Sequence, residues 1–550
     1  MKAMAALAAV LCGTALNVSA LGAEAEANQI TQYGITWTFE SPVRAGRFVN
    51  GDWWVCPDEP NGTVTVASVR PSPTGSDANA RNGSMANPAP GSAQAYDGRA
   101  GGYKADLAVT FPYRMPVNTS LVSAVSRPEN TDFSRPGNNL GGRSRGRISD
   151  AAILTCLAQS PPADAFRPAY SDPAKKLYRA KALDLSKLPS LASVADTPTL
   201  AAYERWFERV WLDHFVEYLS QTIHPNNNMP SYGRYITHRI GDGALMLCLR
   251  DVGDRKTLAV RMVQLGIDLY GVADNGGYWP GNGGHNAGRK LPILLAGLLL
   301  NEKEMLGIAK RRRTATSWRF QGDDQTFYVT EADVARPLNV MACKGLALSA
   351  TANTIGVNRP SKYAPLADLY LEIVSGPGAG QRRYVTKSTV PRTGGNGILT
   401  VREKWETAPV AGKSAYRIVG YEKDHIGMPE WGINHSSSPR RDNPSWRAEY
   451  RGNNGPSWGG YVLAARLFGL KAAWSHDPLF DYQDRYMRET APGGAHSTHP
   501  GNRSMSRFAG NMWDKYRADC GPIFVGLNKT THKRIYQDGE KTFESDGVRP

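Results

Sequence analysis

Near Thr197 the spacing of apolar residues changes, and that change decides what the chain can fold into. From Ile30 to about Ala169 the apolar runs ITWTF, RFVNGDWWV, TVTVASV, ADLAVTF and AAILTCLA are short, β-branched or aromatic, and parted by Gly, Pro, Asn and Asp. That is the patterning of strands and turns. From Thr197 on, Leu200, Tyr203, Trp206, Phe207, Val210, Trp211, Phe215, Tyr218 and Leu219 recur in steps of three and four. Such steps mark one buried stripe of a helix, predicted over 199–223. Similar spacing predicts helices over 235–250, 256–270, 286–306, 458–473, 478–489 and 505–516. Helices that follow one another without strands between them describe a bundle, solenoid or toroid and exclude a Rossmann or TIM-barrel chain.

The helical series is interrupted. Lys310-Arg-Arg-Arg313 opens a polar stretch, and 369–421 returns to strand alternation in LYLEIVSGPGAGQRRYVTKS, GILTVREKW and SAYRIVGY. A small β-module inserted into the helical domain accounts for this. Its SGPGAGQRRYV, TVREKW and SAYRIV segments are similar to β-modules of tail-associated and polysaccharide-acting proteins. The basic run 310–313 suits a solvated helix end or the wall of a groove for an anionic polymer.

The first residues, Met1-Lys2 and then an apolar run from Ala3 to Leu16 ending in small residues, have the pattern of a secretory signal peptide. The expectation is an exported protein. LPILLAGLLL, ten residues long, is too short to span a bilayer. The formal net charge of +15 points an exported chain toward an anionic polysaccharide, lipid or wall polymer, with nucleic acid the weaker partner. Six cysteines, of which Cys12 lies in the leader, show no CxxC and no metal-ligand spacing. No metal or cofactor is expected, and nothing fixes the oligomeric state.

Three polar clusters sit where chemistry is usually mounted, on loops and helix starts of the helical domain. The first is 226–239, with Tyr232, Tyr235, His238 and Arg239. The second, 274–289, packs six glycines among Trp279, Asn282, His285, Asn286 and Arg289 ahead of the apolar LPILLAGLLL. Its glycines allow close approach of the backbone to a bulky polymer. The third runs from Met428 through Glu430, Trp431, His435, Arg440, Arg441 and Tyr450 to Arg451. Elimination across a uronic acid needs this mixture of side chains. Asn or Arg neutralises the carboxylate so that enolate-like charge can develop, and His or Tyr moves protons. Asn286 also suits a helix cap, and Tyr232 and Tyr235 also suit packing.

A chain with a leader, β-domains, serial helices and Asn/His/Tyr/Arg clusters resembles the α/α-toroid polysaccharide lyases of the alginate, hyaluronan and heparin lyase type. The resemblance implies a multidomain α+β chain: signal peptide 1–23, an N-terminal β-sandwich-like domain 28–170, an α/α-toroid (helical barrel) first part 196–310, an insertion 311–425 with its β-module, and a second toroid part with tail 426–550. Most such lyases carry the β-domain after the toroid; here it comes first. Carried over by residue type, Asn286 neutralises with Arg289 or Arg239 assisting. His285, His238 or His435 is the base, and Tyr235 or else Tyr232 the base or acid. Trp279, Trp431, Arg440, Arg441 and Tyr450 line the substrate. An inverting hydrolase on the same scaffold needs two carboxyl groups, for which Glu430, Asp274 and Asp242 are the candidates. Glu430 beside Trp431 is the best acid through desolvation. A third reading is a glycan-binding surface protein that uses its tryptophans without chemistry.

Overall fold

The computed structural model describes residues 24–129, 136–137, 142–143, 146–214, 218–227, 233–281, 283–284, 286–315, 317–336, 344–359, 366–391, 395–432, 446, 449–497 and 503–546. The leader-like 1–23 lies outside them. The fold is mixed α+β, with an N-terminal curled sheet and a later helical region interrupted by a β-module.

The N-terminal unit is one eight-stranded sheet rather than two facing sheets. Its order runs Ser84–Ala86, Thr119–Ser126, Ile148–Cys156, Trp53–Cys56, Ile35–Arg47, Thr63–Arg70, Tyr113–Pro116, with Ala25–Gln32 added to Ile35–Arg47. The curl comes from Ile35–Arg47, whose first half pairs with Thr63–Arg70 and whose second half pairs with Trp53–Cys56. Strand Ile148–Cys156 is buried on both faces. Ala152 and Leu154 join the sheet's own core with Trp37 and Val66, while Ala151 and Ile153 join the helical core. A strand covered on both sides reads as a near-continuous apolar run, as AAILTC does. Trp54 is buried and Trp53 carries Arg47 4.1 Å above its ring, so this pair packs.

The helices are α1 (Leu200–Trp206), α2 (Arg234–Leu247), α3 (Lys256–Asp274), α4 (Lys290–Leu299), the short α5 (Lys303–Gly307), α6 (Gln321–Gln325) and α7 (Glu331–Ala335), then α8 (Glu449–Leu467), α9 (Lys471–Trp474), α10 (Asp477–Glu489) and α11 (Arg507–Tyr516). The helix predicted over 199–223 stops at Trp206. Beyond it the Trp211 indole N–H donates to the Trp206 carbonyl at 3.2 Å, Phe207 stacks on Trp211, and Asp213 turns into an internal ion pair. Tertiary partners override a good helical period here. The helix predicted from 286 starts at Lys290. Helix α2 meets α8 so closely that a Cβ on Gly241 would lie 2.6 Å from the Tyr461 nitrogen. Glycine permits that approach. No helix among the described residues is long and apolar enough to cross a membrane.

The inserted module orders its strands Lys344–Leu346, Ala415–Val419, Tyr370–Ser375, Arg382–Ser388, Gly395–Val401, Thr354–Arg359, Ser349–Ala350. The first and last are successive pieces of one segment, so the sheet closes into a small barrel around Leu371, Val385, Leu399 and Ile418. A C-terminal three-stranded sheet, Ile523–Leu527, Arg534–Asp538 and Lys541–Ser545, has no counterpart in the sequence reading. Tyr536 ties it to α10 by donating to Asp481 at 2.7 Å.

Candidate active site

The second polar cluster is anchored at one backbone carbonyl by side-chain amides that lie outside all three clusters. Gly283 O accepts from Gln321 Nε2 (2.8 Å), Gln325 Nε2 (2.9 Å) and Asn454 Nδ2 (3.0 Å). Gln325 Oε1 in turn accepts from Gln321 at 3.0 Å and from Asn454 at 3.3 Å. Gly288, at φ +94°, lies against Thr237 of α2, where a Cβ would come within 2.9 Å of the Thr237 Cα. Arg234 Nη1 donates to Asn453 Oδ1 at 3.1 Å. The described glycines at 283, 284 and 288 thus serve internal packing against α2 and α8.

The two residues expected to neutralise a substrate carboxylate are turned inward. Asn286 is buried, its backbone N–H donating to Gln321 Oε1 at 2.6 Å. Arg289 is buried and holds Asp213 with Nε at 2.9 Å and Nη2 at 3.2 Å. His224 Nε2 stands 3.0 Å from the same carboxylate. Burial pushes the Asp213 carboxyl up, but Arg289 and His224 outweigh it and hold the group well below the usual carboxylate range. Next in the chain, His214 is fully buried between the Tyr96 and Tyr170 rings, with no hydrogen-bond partner among the described residues for either ring nitrogen.

Burial pushes the His214 imidazole down to about 3, against the opposing pull of Asp213. A depressed folded-state value means the unfolded chain takes up the proton first. The stability from keeping His214 neutral is therefore complete above the ordinary value near 6.5 and is lost as pH falls from there toward 3. At pH 5 the loss is about 2 kcal/mol. Urea unfolding midpoints measured from pH 7 to pH 5 check this, and His214→Phe is expected to flatten that slope.

The remaining expected site residues are scattered. Trp279 is buried and stacked on Phe320, and Trp431 is buried as well, so neither offers an open sugar face. Glu430 is a correction to the hydrolase reading. It is buried and held by Arg451 at 2.7 Å and Arg485 at 3.1 Å. Burial raises its carboxyl, and the two guanidiniums overcome that and lower it, the opposite of a proton donor. Asp274 is exposed and paired with Arg311. Asp242 is buried, accepting from Tyr203 Oη at 2.7 Å with His238 Nδ1 at 3.3 Å. Each of these three carboxylates has a cationic or hydroxyl partner. Tyr235 and Arg239 lie half-buried on α2, Arg239 above the Trp206 ring at 4.3 Å. Tyr450 packs on the helical core. Tyr232, His285, His435, Arg440 and Arg441 lie outside the described residues.

Another set of residues, Glu430 among them, surrounds a cavity of about 160 Å³ where the barrel meets the helical region. The barrel side supplies Asp368, Tyr370 and Tyr384, and the segment leaving it supplies Tyr421 and His425. The helical side supplies Trp446, Arg485 and His496. At ~30 Å³ per water this is room for about five waters, the scale of one sugar ring. Trp446 stacks flat on His496, centroids 4.2 Å apart. Arg402 is exposed, lies 4.0 Å above the Tyr384 ring, and has no carboxylate partner among the described residues.

No protein-family model, no curated protein and no solved structure matches this chain. The cavity's own chemistry therefore carries the reading. Burial, reinforced by Arg485, pushes the His425 imidazole down to about 4. Its Nδ1 accepts from the Glu422 backbone N–H at 3.1 Å, which places the ring proton on Nε2 as a donor. His496 is also lowered by burial, against the pull of Glu489, whose Oε2 stands 3.5 Å from Nε2. That carboxylate draws the ring proton to Nε2 and leaves Nδ1 basic. Tyr421 is fully buried, and its hydroxyl has no hydrogen-bond partner among the described residues. Burial and then Glu430 raise the Tyr421 phenol, so it stays protonated. At neutral pH the cavity thus holds a neutral base, a neutral donor and a protonated phenol.

Sequence reasoning did not place His425, Tyr421, Tyr384, Arg402 or His496 in the site. One signal was available: His425 lies three residues before the Met428 cluster. Among the described residues no group of three or more His, Cys, Asp or Glu is placed to hold a metal ion. Cys56, Cys156, Cys248 and Cys520 are free thiols.

Proposed function

We propose that this chain is an exported lyase that cleaves a uronate-containing polysaccharide by β-elimination in the cavity between barrel and helices. One observation carries the reading: an unpartnered, protonated Tyr421 phenol faces the same cavity as two neutral imidazoles. His496 takes the proton α to the uronate carboxylate. The electron pair left behind forms the new carbon–carbon double bond, and the bond from the β carbon to the glycosidic oxygen breaks. Tyr421 gives its proton to that leaving oxygen. The Nε2–H of His425 faces the carboxylate as enolate-like charge develops, and Arg402, stacked on the cavity-lining Tyr384, adds positive charge from outside the lining. Arg485 is excluded from that task because Glu430 and Glu489 already occupy it.

The leader-like 1–23 and the +15 charge support export and a polyanionic substrate. The toroid belongs to the same proposal. Its support is the packing of α2 on α8, which brings the two helical halves together across the insertion. Elimination leaves an unsaturated uronate that absorbs ultraviolet light. Incubation with alginate, glucuronan, hyaluronan and heparin-like polymers is expected to give rising absorbance with at least one. New reducing ends without absorbance would sink the lyase reading in favour of hydrolysis. Binding with neither signal would favour a glycan-binding protein.

A further inference from the structure

A second opening, larger than the cavity, lies beside the hairpin formed by Arg312–Thr314 and Ser317–Trp318. It encloses about 500 Å³, roughly three times the 160 Å³ cavity, and so has room for several sugar rings. Its walls are Arg312, Trp318, Asp324, Tyr328, His476 and Asp477, with Asp323 at the base.

Three carboxylates line it, yet each is already engaged. Asp323 accepts from Lys290 Nζ at 2.5 Å and from the Trp474 indole N–H at 2.9 Å. Asp324 accepts from the backbone N–H groups of Gly281 at 3.1 Å and Trp318 at 3.3 Å. Asp477 is paired with Lys471 at 3.2 Å. Arg312 is the exception. It is exposed, its recorded hydrogen bond is a long 3.4 Å contact to the Ala315 carbonyl, and it has no carboxylate partner among the described residues.

Arg312 is also held in place. It pairs across the hairpin with Trp318, and its guanidinium lies 4.0 Å above the indole. His476 fixes that indole from another side, edge-on with centroids 4.8 Å apart, and is itself anchored to Thr326 Oγ1 at 3.0 Å. A planar guanidinium stacked on a pinned ring keeps its N–H edge ordered for two parallel bonds to a carboxylate or sulfate. Beside it, the exposed Ser475 brings a hydroxyl group of the kind that pairs with sugar hydroxyls.

We propose that this cleft is a separate, non-catalytic subsite for an acidic oligosaccharide segment, with Arg312 reading a carboxylate or sulfate group on it. The choice of an acidic glycan rests on the proposed function; the site itself does not depend on catalysis. Losing a charge-assisted pair of this kind weakens binding about tenfold or more.

The test uses the full chain and Arg312→Gln, with Trp318→Phe as a second variant. Binding is measured by titration with a polyuronate, with a heparin-like sulfated oligosaccharide and with neutral dextran. The expected result is about tenfold weaker binding of one acidic glycan by Arg312→Gln, an unchanged thermal midpoint, and no binding of dextran. Which acidic glycan is affected tells carboxylate from sulfate. For a chain that shows lyase activity, kcat on the shortest cleaved oligomer is expected to hold while KM for the polymer rises. Equal binding by wild type and Arg312→Gln would overturn the subsite and leave the lyase reading standing. Arg312-dependent binding without ultraviolet product would keep the subsite and overturn the lyase. A fall in kcat on the shortest oligomer would also overturn it, by placing Arg312 in the reaction itself.

Discussion

Replacing Arg289 with methionine is expected to destabilise the protein by about 3–5 kcal/mol, because it strands Asp213 as a buried charge. The carboxylate has Arg289 on both oxygens and His224 on one, and lies where water cannot replace the guanidinium. The loss is expected to shrink in an Asp213→Asn background, since removing both charges avoids the uncompensated one. Urea unfolding of the two single variants and the double variant closes this cycle. Kinetics provide the contrast. A stable Arg289→Met protein with a raised KM for an acidic polymer would return Arg289 to the substrate path and overturn its assignment as an internal strut.

The second large effect concerns the cavity. Tyr421→Phe and His496→Gln are each expected to lower kcat by about 10²–10⁴, the usual contribution of a positioned acid or base. Tyr421→Phe removes a hydroxyl that has no partner among the described residues, so stability is expected to hold. The pH profile separates catalysis from packing. Burial lowers His496 from its ordinary value of 6.5, so the acid limb of the wild-type rate profile is expected below that pH, and His496→Gln is expected to lack it. Wild-type rates in both variants would move the reaction elsewhere in the molecule.

Local periodicity carried much of the fold. Helices α2, α3 and α10 fall where three-and-four spacing puts them, because their apolar stripes and their burial agree. It failed at 207–214, where the stripe is equally good but Asp213 is drawn to Arg289, a partner 76 residues along the chain. Closure of the β-module into a barrel was equally hidden, since alternation fixes which face a residue takes but not which strand lies beside it. The site shows the same limit. Asn, Arg and His beside glycines were read as a substrate wall. In the folded chain the Asn286 backbone N–H is held by Gln321 and Arg289 by Asp213, both in the interior. The residues that do share a cavity, from Tyr384 to His496, are spread over the barrel, its exit and a distant loop. Only folding brings them together.

The barrel has a consequence for how the chain assembles. Lys344 pairs with Arg417, so the entry and exit of the insertion sit side by side. Before the barrel forms, α2 must find α8 across a long flexible loop, and the entropy of closing a loop grows with its length. Once the barrel has formed, its residues count as a short tether, and each halving of the effective loop returns about 0.6 kcal/mol to closure. The closed insertion thus acts as a tether that holds the two helical halves near each other.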